Sequence, residues 1–315
     1  MTPQLTPEVT PLAGPFGCAL TVDVEEWFHT CLEPDYVDPA RRPRLPCELD
    51  RLLPEMIELL AGHGRRATFF VLGEVAARLP ARVREIADAG HEVASHGYHH
   101  VRAGELGLRR FRRSVVDSCA LLEDVTGRAV RGYRAPEWSL RVLGNPRLRA
   151  VAELGLAYDS SLSPSLGSGS LANPLRPSRL RWGGGLELLE LPPLVFGGRL
   201  RLPAGGWPGR LAGADVVARA ARRHRLAGGL PVLVVHPWEL AARPVPGELT
   251  GVSRWVHELG RAGYAAEFAR LLRELEWTSL VEALGAGTEA VEDAAADAPP
   301  RRGAVPTPVL AFRPR

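Results

Sequence analysis

The sequence predicts an α/β fold, a barrel of seven or eight βα units, and three observations predict it. Short apolar or β-branched runs alternate with longer stretches of helical period, the pattern of parallel strands joined by helices. Seven such units can be counted, with an eighth strand around residues 277–279, which is more than a doubly wound sheet usually carries and close to a barrel count. No G-x-G-x-x-G or G-x-x-x-x-G-K follows any strand, which argues against dinucleotide and P-loop folds. The length of 315 residues suits one barrel of about 250 residues with extensions.

The elements follow in order. CALTVDV at 18–24 reads as the first strand, and 48–63 as an amphipathic helix despite Pro54. ATFFVL at 67–72 is the second strand, followed by a helical stretch over 74–89 that Pro80 divides. Residues 91–95 form the third strand before a helix over about 105–125, and 129–133 the fourth before a helix near 147–154. Strands at 156–158 and 186–191 come next. The helix 214–226 then precedes a buried-looking strand at 231–235. The segment 160–185, rich in Gly, Pro and Ser, reads as one long loop that shapes a cleft.

The predicted barrel spans residues 18–285. Residues 1–17, rich in Pro and Thr, and 286–315, rich in Ala, Pro and charge, read as mobile tails. Composition is that of a folded protein, with 45% hydrophobic and 24% charged residues. The net charge of +3 is spread along the chain, so nucleic acid is excluded as a ligand. All 39 basic side chains are arginine, which removes Schiff-base chemistry, lysine general bases and a Walker lysine. Four cysteines without a C-x-x-C pair read as reduced thiols. No transmembrane segment and no secretory leader can be read. The expected place of action is the cytoplasm, or the inner face of its membrane.

Chemistry in such barrels is built at the C-terminal ends of the strands. Ionisable residues fall there repeatedly: Asp23 and Glu25 after the first strand, His96 after the third, Arg134 after the fourth, Asp159 after the fifth and His236 after the seventh. His96 and His100 have a spacing at which one helical turn brings both imidazoles together, a metal-ligand pattern that needs a carboxylate to complete it. Asp23 and Glu25 lie two apart and face one side of an extended segment, so one can serve a metal and the other proton transfer.

The blocks Thr21-Val22-Asp23-Val24-Glu25-Glu26-Trp27-Phe28, Thr68-Phe69-Phe70, Ser95-His96-Gly97-Tyr98-His99-His100, Arg131-Gly132-Tyr133-Arg134-Ala135-Pro136, Tyr158-Asp159-Ser160-Ser161 and Val235-His236-Pro237-Trp238-Glu239 resemble, in order, the polysaccharide deacetylases of the NodB-homology family. The resemblance is to the branch associated with bacterial exopolysaccharide export loci. It implies a distorted (β/α)7–8 barrel that removes acetyl groups from N-acetylated sugars with a divalent metal, usually Zn2+. It further implies Asp23 as general base, His96 and His100 as metal ligands, and Glu25 as third ligand, with Glu26 as its competitor. The family often writes its first block as two adjacent aspartates, a pattern this chain replaces by Asp23-Val24-Glu25.

Within that reading, His236 protonates the departing amine, Asp159 holds or tunes that imidazole, and Arg134 orients Asp23 and keeps it ionised. A backbone N–H near Glu137 faces the oxyanion, and Tyr98, Glu137, Trp138, Trp207 and Trp238 are candidate sugar contacts. His29, His63, His91, His224 and His257 read as solvated or locally satisfied. The expected partners are an N-acetylated glycan and the exopolysaccharide assembly machinery. Two other readings stand beside this one, a catalytically inactive carbohydrate-binding barrel and a small-molecule amidohydrolase.

Overall fold

The computed structural model describes residues 6–32, 35–199, 201–241 and 249–285. In chain order these form β1 (Glu8–Pro11), β2 (Cys18–Val24), α1 (Leu49–Gly62), β3 (Thr68–Val71), α2 (Gly73–Arg78), α3 (Pro80–Asp88), β4 (Glu92–Ser95), α4 (Leu108–Thr126), β5 (Gly132–Tyr133), α5 (Pro146–Glu153) and β6 (Tyr158–Asp159). There follow β7 (Ser178–Trp182), β8 (Leu186–Glu190), α6 (Gly206–Ala212), α7 (Ala214–Leu226), β9 (Val232–Val235), α8 (Gly251–Glu258), α9 (Tyr264–Glu274), β10 (Trp277–Thr278) and α10 (Leu280–Leu284).

Seven strands run parallel in the order β9-β2-β3-β4-β5-β6-β8, and the short β10 pairs parallel with the start of β2. Their register is level, with Asp23 opposite Phe70, Ser95 opposite both Val71 and Tyr133, and Asp159 opposite Tyr133 and Glu190. The C-terminal ends therefore share one rim. Among the described residues no ladder joins β8 to β9. One hydrogen bond spans that seam, from Leu194 N–H to the Val232 carbonyl at 2.8 Å. The result is an α/β barrel of the distorted, incompletely closed kind.

The period of two along each strand sorts side chains between interior and helices. Leu20, Val22 and Val24 pack in the large cluster with the helices, as do Phe69, Leu233 and Val235. Ala19, Phe70, Ala94, Tyr158, Leu189 and Val232 form a separate cluster that fills the barrel, with Phe16 and α10 beneath. Asp23, His96, Arg134 and His236 are in phase with this interior set, so the pleat alone aims them into one space. Gly132 is required where it stands, because a Cβ there would lie 2.0 Å from the Tyr158 ring.

Helix formation follows the same patterning. On α4 the buried Phe111, Val115, Cys119, Leu122 and Val125 recur at three and four residues, and Gly127 in the left-handed region (φ 67°) ends the helix. Pro80 divides the stretch after β3 into α2 and α3, as the sequence indicates.

Two expectations are corrected. The segment 8–17, read as part of a mobile tail, forms β1, which pairs antiparallel with β7, while Phe16 is buried and Gly17 N–H bonds to Ala283. The loop 160–185 contains β7, itself antiparallel to β8. β1 at the sheet edge and β7 between β1 and β8 both carry polar residues on one side and so lack an apolar run. The expected tail 286–315 lies outside the described residues. The four cysteines are free thiols, and no helix among the described residues is long and apolar enough to cross a membrane.

Candidate active site

The rim opens into a cleft of about 510 Å3 whose wall includes Asp23, Glu25, His96, His100 and His236. On its floor Arg134 is fully buried, and it is fixed on four sides. Its Nη1 donates to Asp23 Oδ1 at 2.6 Å and Thr21 Oγ1 at 2.9 Å, Nη2 and Nε donate to Ser160, and the guanidinium lies 4.0 Å over the Phe70 ring. Asp23 is thus held by a charge-assisted hydrogen bond in a buried setting.

Glu25, His96 and His100 offer ligand atoms that all lie within 4.8 Å of one another. The two imidazoles converge, with ring centroids 5.4 Å apart, though not by a helical turn. The chain bends instead at Gly97, whose φ of 82° is costly for any residue with a Cβ. His96 Nδ1 donates to the Arg134 carbonyl at 2.8 Å, which leaves Nε2 as an unprotonated donor atom facing Glu25. Burial, chiefly, lowers the His96 pKa to about 4 and keeps the ring neutral. His100 Nδ1 meets the Cys31 thiol at 3.5 Å.

Glu25 Oε2 is buried and has no hydrogen bond, although His100 Nε2 stands 2.6 Å away. Burial opposes charge on Glu25, yet the His100 and His236 charges outweigh it and hold the carboxyl well below its usual range. The same pairing raises His100 well above the usual imidazole value against the pull of burial. A buried carboxylate oxygen with the Nε2 atoms of His100 and His96 2.6 and 4.0 Å away fits a divalent cation. Glu26, the alternative ligand, accepts from Leu49 N–H instead, and burial raises its pKa.

His236 closes the opposite side. Its Nε2 lies 3.0 Å from Glu25 Oε1, and its Nδ1 lies 3.2 Å from Glu239 Oε2. Glu239 is fully buried and paired with buried Arg210 through its other oxygen. Burial works against a charge on His236, but Glu25 and Glu239 together hold its pKa up to about 10. Asp159 does not take this position. Tyr158 faces the interior, so the next side chain turns to the other face, where Asp159 accepts from Ser161 N–H at 2.9 Å and Ser161 Oγ at 2.7 Å and faces Glu190. Glu239 is three residues past His236 and also accepts its backbone N–H, a capping-box pattern that the sequence carries.

The sugar-contact candidates divide. Glu137, Trp138, Trp207 and Trp238 line the cleft, and Glu137 is held by Arg102 and the Cys31 N–H. Trp238 stacks between His236 and His257 at 5.2 and 4.3 Å. Tyr98 instead lines a second cavity of about 410 Å3 with Glu74 and Cys47. His257, expected to be only locally satisfied, is a cleft residue, though its Nδ1 does bond within its own helix to the Ser253 carbonyl. His29 is buried behind His100, its Nδ1 accepting from Glu26 N–H and its Nε2 3.3 Å from Glu74, which also pairs with Arg42 and His99. Nothing in the local sequence marks Glu74 or Arg210 for these roles.

Comparison with known proteins finds carbohydrate deacetylases among the relatives of this chain. Residues 46–158 match the family profile "Polysaccharide deacetylase", and residues 160–285 match a domain of unknown function, DUF3473. A peptidoglycan deacetylase of Helicobacter pylori is 32% identical over 110 residues, covering 35% of this chain and 36% of the relative. A chitooligosaccharide deacetylase of Sinorhizobium fredii is 38% identical over 104 residues, covering 31% of this chain and 48% of the relative. The chain thus spans between a third and a half of the length of these two relatives. A solved structure from Mycobacterium smegmatis, assigned as a polysaccharide deacetylase, superposes with a TM-score of 0.58 at 24% identity, covering 96% of this chain and all of the other, which shows a shared fold. With the barrel, the ordered motif blocks and the profile match in agreement, residues 46–158 form a domain of the polysaccharide deacetylase, or NodB-homology, family.

Proposed function

We propose that this protein is a metal-dependent N-deacetylase acting on amino sugars of an exopolysaccharide or its precursor. The observation that carries the reading is the placement of Asp23 and His236 around the Glu25, His96 and His100 cluster in one cleft. A divalent ion held by those three residues, which we take to be Zn2+, would supply Lewis acidity to the acetyl carbonyl and the attacking water.

Asp23 acts as general base toward that water, with Arg134 fixing its carboxylate at 2.6 Å. Amide cleavage then needs a proton for the departing nitrogen, since an amide anion is a very poor leaving group. His236 Nε2 supplies it. Glu239 on the far side of the ring supports the imidazolium, and Arg210 fixes Glu239. Trp138, Trp207 and Trp238 offer flat apolar faces to sugar rings. We place the reaction in the cytoplasm or at its membrane face, beside the exopolysaccharide assembly machinery, a reading that the four free thiols support.

The test is acetate release from N-acetylglucosamine oligomers and from the organism's own exopolysaccharide, comparing the metal-loaded protein with Asp23→Asn. Release by the parent and its loss in the variant are expected. Turnover of small cyclic amides with no release from any glycan would make the protein a small-molecule amidohydrolase. Glycan binding without turnover would make it a binding barrel.

A further inference from the structure

We infer that the cleft carries an anion subsite, formed by the Arg141 guanidinium, that selects an acidic glycan. The inference deepens the deacetylase reading and rests on it for the identity of the ligand as a glycan. Apart from Glu26, whose carboxyl accepts from a backbone N–H, the acidic groups along the cleft wall have cationic or imidazole partners. Asp23 is paired with Arg134, Glu25 with two imidazoles, Glu137 with Arg102, and Arg210 with Glu239. Arg141 lines the same cleft, and its guanidinium makes one hydrogen bond, from Nη2 to the Gly167 carbonyl at 2.8 Å, with no carboxylate within ion-pair reach among the described residues.

The backbone gives an independent reason. Among the described residues four non-glycine positions have positive φ, and three of them, Glu137 (52°), Trp138 (48°) and Arg141 (61°), fall in this one loop and line the cleft. Left-handed backbone favours glycine, and strain of this kind gathers where side chains must be aimed at a ligand. Two bonds hold Arg141 in place: its N–H donates to the Trp138 carbonyl at 3.2 Å, and its carbonyl accepts from the Nδ2 of buried Asn173 at 2.8 Å. The chain therefore keeps an exposed arginine at a cleft position where glycine would be easier. A planar fork of this type recognises an oxyanion, either the carboxylate of a hexuronate or a phosphate on the glycan.

The experiment measures binding without turnover, by calorimetric titration of the Asp23→Asn chain. Three probes are used: the neutral N-acetylglucosamine tetramer, an alternating N-acetylglucosamine–glucuronate tetramer, and UDP-N-acetylglucosamine. At least one acidic probe is expected to bind about tenfold or more tightly than the neutral tetramer, and adding Arg141→Gln is expected to remove that preference. Preference for the uronate tetramer assigns a carboxylate, and for the sugar nucleotide a phosphate. In a parallel variant, Arg141→Gly, the preference is lost while Tm stays at or above that of the parent, because glycine accepts the backbone. The same ranking of the three probes with and without Arg141 overturns the subsite, as does the absence of any acidic preference in the Asp23→Asn chain. Because the readout is binding, absence of acetate release from any glycan would overturn the deacetylase reading and leave the subsite to be judged on these ratios.

Discussion

His96 and His236 stand on opposite sides of one cleft, and the difference between them lies in what holds the far nitrogen. In the N-terminal half, His96 gives its Nδ1 proton to the Arg134 carbonyl. The carbonyl is neutral, and burial leaves the ring uncharged with its pKa lowered to about 4, the state that the proposed ligand needs. In the C-terminal half, His236 has its Nδ1 beside the Glu239 carboxylate and its pKa held up to about 10, the protonated state that the proposed general acid needs. One side-chain type is tuned in opposite directions by the acceptor behind it. His96 falls within the first profile match, 46–158, and His236 within the second, 160–285, while Glu25 lies ahead of both.

The sharpest way to break this comparison is to delete each ring. His96→Ala is expected to lose both the bound ion, measured by metal analysis, and all activity. His236→Ala is expected to lose about 10²- to 10⁴-fold in kcat while keeping the ion. Loss of metal in His236→Ala would make that residue a ligand and erase the distinction.

A second prediction concerns Glu239→Gln. Removing the anion behind His236 lowers its pKa, so the alkaline limb of the kcat profile moves to lower pH, with a rate loss of about tenfold to a hundredfold. An unmoved limb would show that Glu239 merely packs.

The third prediction is proton release on metal binding. In the metal-free protein His100 pairs with Glu25 and its pKa is well above the usual imidazole range, so at pH 7 it carries a proton that a cation must displace. Titrating Zn2+ into the apo protein in a weak buffer should release about one proton per ion, and His100→Gln should release fewer.

The smallest effect lies away from the site. Burial lowers the pKa of His91, which accepts from Ala67 N–H, to about 4, so its unfolded form binds a proton near pH 6.5 that the folded form refuses. Between pH 6.5 and 4 the unfolded state therefore holds more protons, and stability falls as pH falls. Denaturation at pH 5 against pH 7 should show about 2 kcal/mol from this one residue, removed in His91→Gln.

Much of the catalytic half was legible in the sequence because its strands are continuous apolar runs. The strand 18–24 was placed to the residue, and counting by twos from its buried positions brings Asp23 to the interior. The same count explains the failure at Asp159, one residue out of phase with Tyr158. The His96 and His100 pair was legible from spacing, but its bend was not, since Gly97 signals only that a left-handed turn is allowed. In the C-terminal half the signals were weaker. Strand β7 alternates buried and more open side chains in Ser-Arg-Leu-Arg-Trp and reads as loop. Arg210 and Glu239 are 29 residues apart and meet only through the tertiary fold, and no local pattern encodes such a pair.

The seam between β8 and β9 has a consequence for how a long chain enters. A closed hoop of ladders admits a bulky polymer only from above, and widening it would break several main-chain bonds at once. Here the hoop has a clasp, the one main-chain bond from Leu194 to Val232 among the described residues. The strand that carries His236 is laced to β2 along its other side and buried in both core clusters, so the seam is the flank at which the barrel can part without breaking a ladder. Slow exchange along the β2 amides with fast exchange at the Leu194 amide is the signature of a barrel that opens sideways, and such an opening would let the acid approach a glycan already seated against the base.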